Sequence, residues 1–255
     1  MRDTLAAISE RSTARHGAIW TGVAGIAVLY VCSTLPTPLY PLYQRRFGIS
    51  ELVVTAIYAS YVIGNLAALF LLGRLSDQIG RRPVCLIAFG ILTASTLCFL
   101  AATNVAWLFI ARVLNGVAAG LGAGALTAWI AELEPAGDKA RAAVVASSGN
   151  LAGLAAGPLL AGFLAQHAPR PLQMSFVVYL AAVLLTMAFL RGTPEGIAGA
   201  ARRLSELSVR PRIGLPRDIR MAFICPAAMA FAVFALGGFY GALTPGLLSR
   251  SLHEP

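Results

Sequence analysis

The sequence predicts an all-α membrane protein with seven transmembrane helices. Three observations lead there. The 255 residues are 58% hydrophobic and 12% charged, with a mean hydropathy of +0.74. A soluble domain carries about 25% charged residues, so this chain has too few to cover a water-facing surface. Apolar runs long enough for a spanning helix, about 20 residues, recur along the sequence. Polar segments separate them, and the net charge of +9 comes almost entirely from arginine.

The elements follow in order. Residues 1–17 are polar and carry no cleavage signature, so they read as a cytoplasmic N-terminus before a retained first span. Span one covers 18–42. It ends in Leu35-Pro36-Thr37-Pro38-Leu39-Tyr40-Pro41, where three prolines within six residues break helix regularity. Span two, 52–72, lies in the uncharged stretch between Glu51 and Arg74. Pro83 to Ala111 is uncharged but too long for one helix. It breaks at Thr103-Asn104, giving span three at 84–102 and span four at 106–130. Spans five and six follow at 142–165 and 172–190, so 18–190 forms a six-helix bundle. An arginine-rich linker, 191–219, comes next. Within it, 197–208 reads equally as a short surface helix or as solvated flexible chain. Span seven, 220–247, opens the final segment, 220–255, which is expected to be the start of an incomplete second bundle.

Charge sets the expected orientation. With the N-terminus inside, 15 of the 20 basic residues fall in inside segments. Only Arg45, Arg46, Arg170 and Arg250 fall outside, and Arg112 lies within span four. Cytoplasmic loops are the ones enriched in arginine and lysine. Arg45 and Arg46 run against the trend. Because the basic residues sit between apolar runs, they point to lipid headgroups and not to nucleic acid. The four cysteines, Cys32, Cys85, Cys98 and Cys225, each lie in an apolar run without paired spacing. They read as packing residues, and no metal site or cofactor is expected.

Three segments carry mechanism. The first is the loop Gly73-Arg74-Leu75-Ser76-Asp77-Gln78-Ile79-Gly80-Arg81-Arg82 between spans two and three. Its glycines allow a tight turn between two helices. Asp77 suits a helix N-terminus or an arginine partner, and Arg81 and Arg82 anchor the inner face. The second is Arg112, roughly 10 Å into span four by helical rise. An arginine at mid-bilayer costs about 2.5–3.5 kcal/mol on insertion scales. It either snorkels to the interface or serves a polar interior. The third is Gly153, Gly157, Pro158 and Gly162 in span five. Small residues four apart allow close helix packing, and proline frees a carbonyl and bends the helix.

These segments resemble the motifs of the major facilitator superfamily. The first loop matches its signature of glycine, three residues, aspartate, two residues, glycine and two basic residues. By that resemblance Asp77 meets a helix end in the second half of the protein, and Arg81 meets the acid closing span four, here Glu132. Arg112, Asn115 and Gly116 match a motif of arginine, two residues, an amide and glycine, with asparagine where glutamine is usual. By resemblance Arg112 faces the central cavity and takes part in proton coupling. The span-five pattern resembles the antiporter motif, with Ala161 where glycine is common. The family fold implied for 18–190 is a bundle built as a 3+3 inverted repeat.

The expected function is therefore secondary active transport of small molecules by alternating access, with proton-coupled efflux, in the plasma membrane. The expected partners are a small-molecule substrate, protons and the lipid bilayer. None of the eleven acidic residues lies mid-span, so no coupling carboxylate is visible. The histidines, His16, His167 and His253, lie at ends or loops, and no catalytic cluster is evident, so the chain does not read as an enzyme. It is expected to be a truncated form needing a second half, or a second copy, to complete the cavity. The alternative is a non-transporting seven-helix protein, such as a receptor or an assembly subunit.

Overall fold

The computed structural model describes residues 2–134, 137–195 and 220–251. The linker helix considered for 197–208 lies outside the described residues. Among these residues the chain is helical throughout, with α1 (Arg2–Thr34), α2 (Tyr40–Phe47), α3 (Glu51–Leu72) and the short α4 (Leu75–Ile79). Then come α5 (Arg81–Leu100), α6 (Val105–Leu133), α7 (Lys139–His167), α8 (Pro171–Gly192) and α9 (Arg220–Ser251). Among the described residues, six segments are long and apolar enough to cross a bilayer: Gly17–Phe47, Glu51–Leu72, Arg81–Leu100, Val105–Leu133, Lys139–His167 and Pro171–Gly192. Each overlaps one of the first six expected spans. The helix of span one extends back to Arg2, through the segment read as a polar N-terminus.

Local chemistry sets the boundaries. The prolines after Thr34 end α1, and the chain passes through a 3-10 turn at Thr37–Leu39 before restarting as α2. Ser50, Asn104 and Asp138 cap α3, α6 and α7. Their side-chain oxygens accept from Val53 N, from Ala106 and Trp107 N, and from Ala140 and Arg141 N. Such caps satisfy amides that have no partner within the helix. The Asn104 cap is what divides the long uncharged run into α5 and α6.

Two seams of glycine hold the bundle together. Along α7, a Cβ placed at Gly153 would lie 2.2 Å from the Ala27 carbonyl oxygen of α1, and at Gly157 2.6 Å from that of Val31. Along α6, a Cβ at Gly116 would lie 2.1 Å from the Tyr61 carbonyl oxygen, and at Gly120 2.6 Å from that of Asn65, both on α3. Only a hydrogen fits at these four positions. In a lipid solvent, such close backbone approach replaces the hydrophobic effect as the force that joins helices. A buried layer that includes Leu29, Phe89 and Trp129 fills the space between, and Phe99 stacks on Phe176 with centroids 4.5 Å apart. Large apolar side chains point outward instead. Ile63, Leu159, Phe163 and Phe189 are each more than 60% exposed, as a lipid-facing surface requires.

Pro158 sits inside α7 and cannot donate to the Leu154 carbonyl four residues back. Thr34 of α1 fills the gap: its Oγ1 donates to Leu154 O at 3.0 Å. Replacing Thr34 with valine is expected to lower stability by about 1 kcal/mol. In a Pro158→Ala background the restored helix bond should erase that cost. A double-mutant cycle by thermal unfolding in detergent checks this, and an unchanged cost in the alanine background contradicts it.

Candidate functional site

At one end of the bundle the loop between α3 and α5 forms a charge cluster around Arg81. The Arg81 Nε donates to Glu132 Oε1 at 2.9 Å, joining the start of α5 to the end of α6. Its Nη1 donates to Ser76 Oγ at 2.7 Å and also to Asp77 Oδ1. Both Arg81 and Glu132 are only 15% exposed at the side chain, whereas Asp77 is 60% exposed. The arginine thus clamps a largely shielded acid on one side and an open one on the other. Shielding from water leaves this pair little screened, but Glu132 Oε2 is buried without a hydrogen-bond partner among the described residues, so the acid is only half satisfied.

A third acid, Glu195, completes the cluster. It follows α8, and its Oε1 accepts from the backbone amides of Arg81 at 2.7 Å and Arg82 at 3.1 Å. A carboxylate at the amino end of α5 is favoured by the helix dipole. Gly80 makes the geometry feasible. Its φ of 102° is a conformation that L side chains rarely adopt, and a Cβ there would press within 3.3 Å of the Glu195 carboxyl group. The neighbouring Pro194 carbonyl accepts from Trp129 Nε1 at 3.2 Å. Helix α4, the start of α5, the end of α6 and the segment just after α8 are therefore tied at one locus. Gly73 closes α3, and a Cβ there would lie 2.5 Å from the Leu69 carbonyl oxygen.

Deeper in the bundle lies a cavity of about 480 Å³. Tyr30, Ser33, Tyr58, Tyr61 and Asn150 supply its polar and aromatic wall, and Gly237 and Gly238 of α9 line another side. Among the described residues, no acid lines it. Behind this wall sits Arg112, 1% exposed. Its Nη1 donates to the Ser33 carbonyl at 2.9 Å, and its guanidinium lies 5.1 Å from the Tyr58 ring centroid and 5.0 Å from that of Tyr61. The two rings offer the cation their electron-rich faces. Among the described residues, the Arg112 Nε and Nη2 have no hydrogen-bond partner, and neither has the amide of the buried Asn115. Arg112 does not snorkel. It is held inward as a partly satisfied cation one side chain away from the cavity.

The expected site residues thus fall into three places. Gly73, Asp77, Gly80, Arg81 and Glu132 meet in the charge cluster, where Arg82 contributes its backbone amide. Arg112 lies behind the cavity, Asn115 is buried three residues further along α6, and Gly116 is in the α3–α6 seam. Gly153 and Gly157 face α1, and Pro158 sits between them and the open space beside Gly162, where a Cβ would meet nothing within 4 Å. Ala161, fully buried, continues the tight stripe instead. Of the other polar residues in the spans, Tyr30 and Asn150 line the cavity. Asn65 packs against Gly120.

The family model described as Major Facilitator Superfamily matches residues 22–252. The chain belongs to the major facilitator superfamily. Within it, the chain is similar to the quinolone resistance protein NorA of Staphylococcus aureus (strain MRSA252), 26% identical over 216 residues. That alignment covers 84% of this chain and 54% of NorA. It is also similar to the multi-drug resistance efflux pump PmrA of Streptococcus pneumoniae serotype 4, 36% identical over 139 residues, covering 52% of this chain and 34% of PmrA. The chain thus spans about half or less of the length of these superfamily relatives. Among solved structures, the proton:xylose symporter XylE superimposes with a TM-score of 0.66 at 19% identity, covering 73% of this chain and 46% of that one. The human organic anion transporter MFSD10 gives 0.57 at 21% identity, covering 79% and 51%. These two establish the superfamily fold for the helical bundle.

Sequence reasoning missed Glu195, Thr34 and the tyrosine pair at 58 and 61. Glu195 carried a weak signal, an acid placed just after span six at the start of an arginine-rich segment. Thr34 could have been found as a hydroxyl needed opposite Pro158. The tyrosines carried none, because aromatic residues are ordinary in spanning helices.

Proposed function

We propose that this chain forms the N-terminal half of a proton-coupled efflux transporter that works by alternating access in the plasma membrane. The observation that carries the reading is Arg112, a buried cation with two guanidinium nitrogens unpartnered among the described residues, screened from a tyrosine-walled cavity by Tyr58 and Tyr61. A membrane-embedded charge held at a cost is a functional group by default. Movement of a proton or substrate near the cavity changes which side of the tyrosine pair this cation favours. The cluster around Arg81 acts as the latch that closes the cytoplasmic end, with the N-terminus on the same side. Asp77, the open acid of that cluster, meets a helix end in the second half.

The bundle is read as a 3+3 inverted repeat. In such a repeat the α1–α7 pair and the α6–α3 pair exchange, and these are the two pairs joined by glycine seams. The helix α9 is the seventh span and opens the second bundle. The cavity is closed by that second six-helix half, or by a second copy of this chain. Similarity to NorA and PmrA supports efflux of drug-like small molecules, and a quinolone is the first substrate to try.

The test uses everted vesicles from cells carrying the gene at its own locus, so that whatever completes the cavity is present. With an acidic lumen imposed, a quinolone should accumulate, and a protonophore should abolish the accumulation. Accumulation that ignores the protonophore removes proton coupling. The purified 255-residue chain, reconstituted alone in liposomes, is expected to show no uphill transport. Robust accumulation by it would mean that a second copy closes the cavity.

A further inference from the structure

At the end of the bundle opposite the Arg81 cluster, three arginines converge. Arg45 and Arg46 stand on the last turn of α2, and Arg170 precedes α8. All three line one open pocket of about 490 Å³, together with Leu42, Pro171 and Leu172. Among the described residues, no acidic side chain lines it, and no carboxylate forms an ion pair with any of the three. Two of them are the residues that break the charge bias of the sequence.

The setting makes this positive charge harder to account for as simple solvation. The amino end of α8 has no side-chain cap and no acid in its first turn, and the residue at its cap position is itself a cation, Arg170. A helix start favours negative charge, so an arginine there is opposed by the dipole. The 22-residue α8 and three guanidinium groups therefore direct positive potential into one pocket. Arg45 and Arg46 have a partial account in the negative end of α2, but Arg170 has none.

We propose that this pocket binds the phosphodiester headgroup of an anionic phospholipid. Guanidinium groups match phosphate oxygens in planar, bidentate geometry. The apolar part of the lining, Leu42, Pro171 and Leu172, accommodates the glycerol and upper acyl region, which a free anion would leave unused. The pocket lies where the helix ends meet the interface, at headgroup depth. Its occupation would tie α2 to the α7–α8 turn and steady the end of the bundle where the prolines weaken span one. This site is separate from the transport cavity, and its test stands whether or not the transport reading does.

The experiment titrates the purified 255-residue chain in neutral detergent with phosphatidylglycerol, phosphatidylcholine or inorganic phosphate, reading thermal stability and bound lipid. Phosphatidylglycerol should bind saturably, at least about tenfold more tightly than phosphatidylcholine. Each arginine removed should weaken it roughly fivefold, and Arg45→Gln with Arg46→Gln and Arg170→Gln on the order of a hundredfold. The single, exposed Arg170→Gln keeps the comparison available should the triple variant fail to fold. Equal binding of phosphatidylglycerol by wild type and Arg170→Gln overturns the proposal. So does displacement of the lipid by millimolar inorganic phosphate, which would mark a free-anion site.

Discussion

Arg112→Ala is expected to reduce protonophore-sensitive quinolone accumulation in everted vesicles to the level of vesicles lacking the protein. The variant should still insert and remain monodisperse, because removing the cation also removes an insertion cost of about 2.5–3.5 kcal/mol. The loss is therefore one of mechanism and not of folding. Arg112→Lys should not restore transport. A lysine keeps the charge but lacks the planar group that lies against both Tyr58 and Tyr61 while donating to the Ser33 carbonyl. Accumulation retained in Arg112→Ala would remove this residue from the transport cycle.

Gly153→Leu is the packing counterpart. Its Cβ alone would stand 2.2 Å from the Ala27 carbonyl oxygen, so α1 and α7 must part before the side chain is even placed. The expected cost exceeds about 3 kcal/mol, enough to abolish a monodisperse folded chain in detergent. Gly162→Leu, with nothing within 4 Å of its Cβ, should unfold at nearly the wild-type temperature. The contrast isolates close approach from glycine content. Equal thermal stability of the two variants would contradict the seam. Both can be measured on this chain without any transport assay.

The parts of this protein that were readable in advance are those governed by local rules. Span lengths follow from bilayer thickness, and the division of 83–111 follows from a single asparagine that caps α6. The charge cluster was legible up to Arg81 and Glu132, because the loop spacing resembles a family pattern that names both. What remained hidden depends on how helices cross. Glu195 lies 114 residues from Arg81, and nothing in its neighbourhood reveals that α8 ends beside the start of α5. The same holds for Tyr58 and Tyr61. They become partners of Arg112 only because Gly64 and Gly116 let α3 and α6 approach until their backbones touch. Gly162 shows the reverse limit: a motif position identified by pattern lies one residue off the stripe that packs, and Ala161 takes that place.

The most direct test of proton-coupled efflux follows both fluxes at once. Everted vesicles carrying an imposed acidic lumen are given a quinolone while a pH-sensitive dye reports lumenal protons. Proton-coupled efflux requires that quinolone entry is accompanied by proton exit, and that neither occurs in Arg112→Ala. Quinolone entry that leaves the lumenal pH unchanged would contradict it.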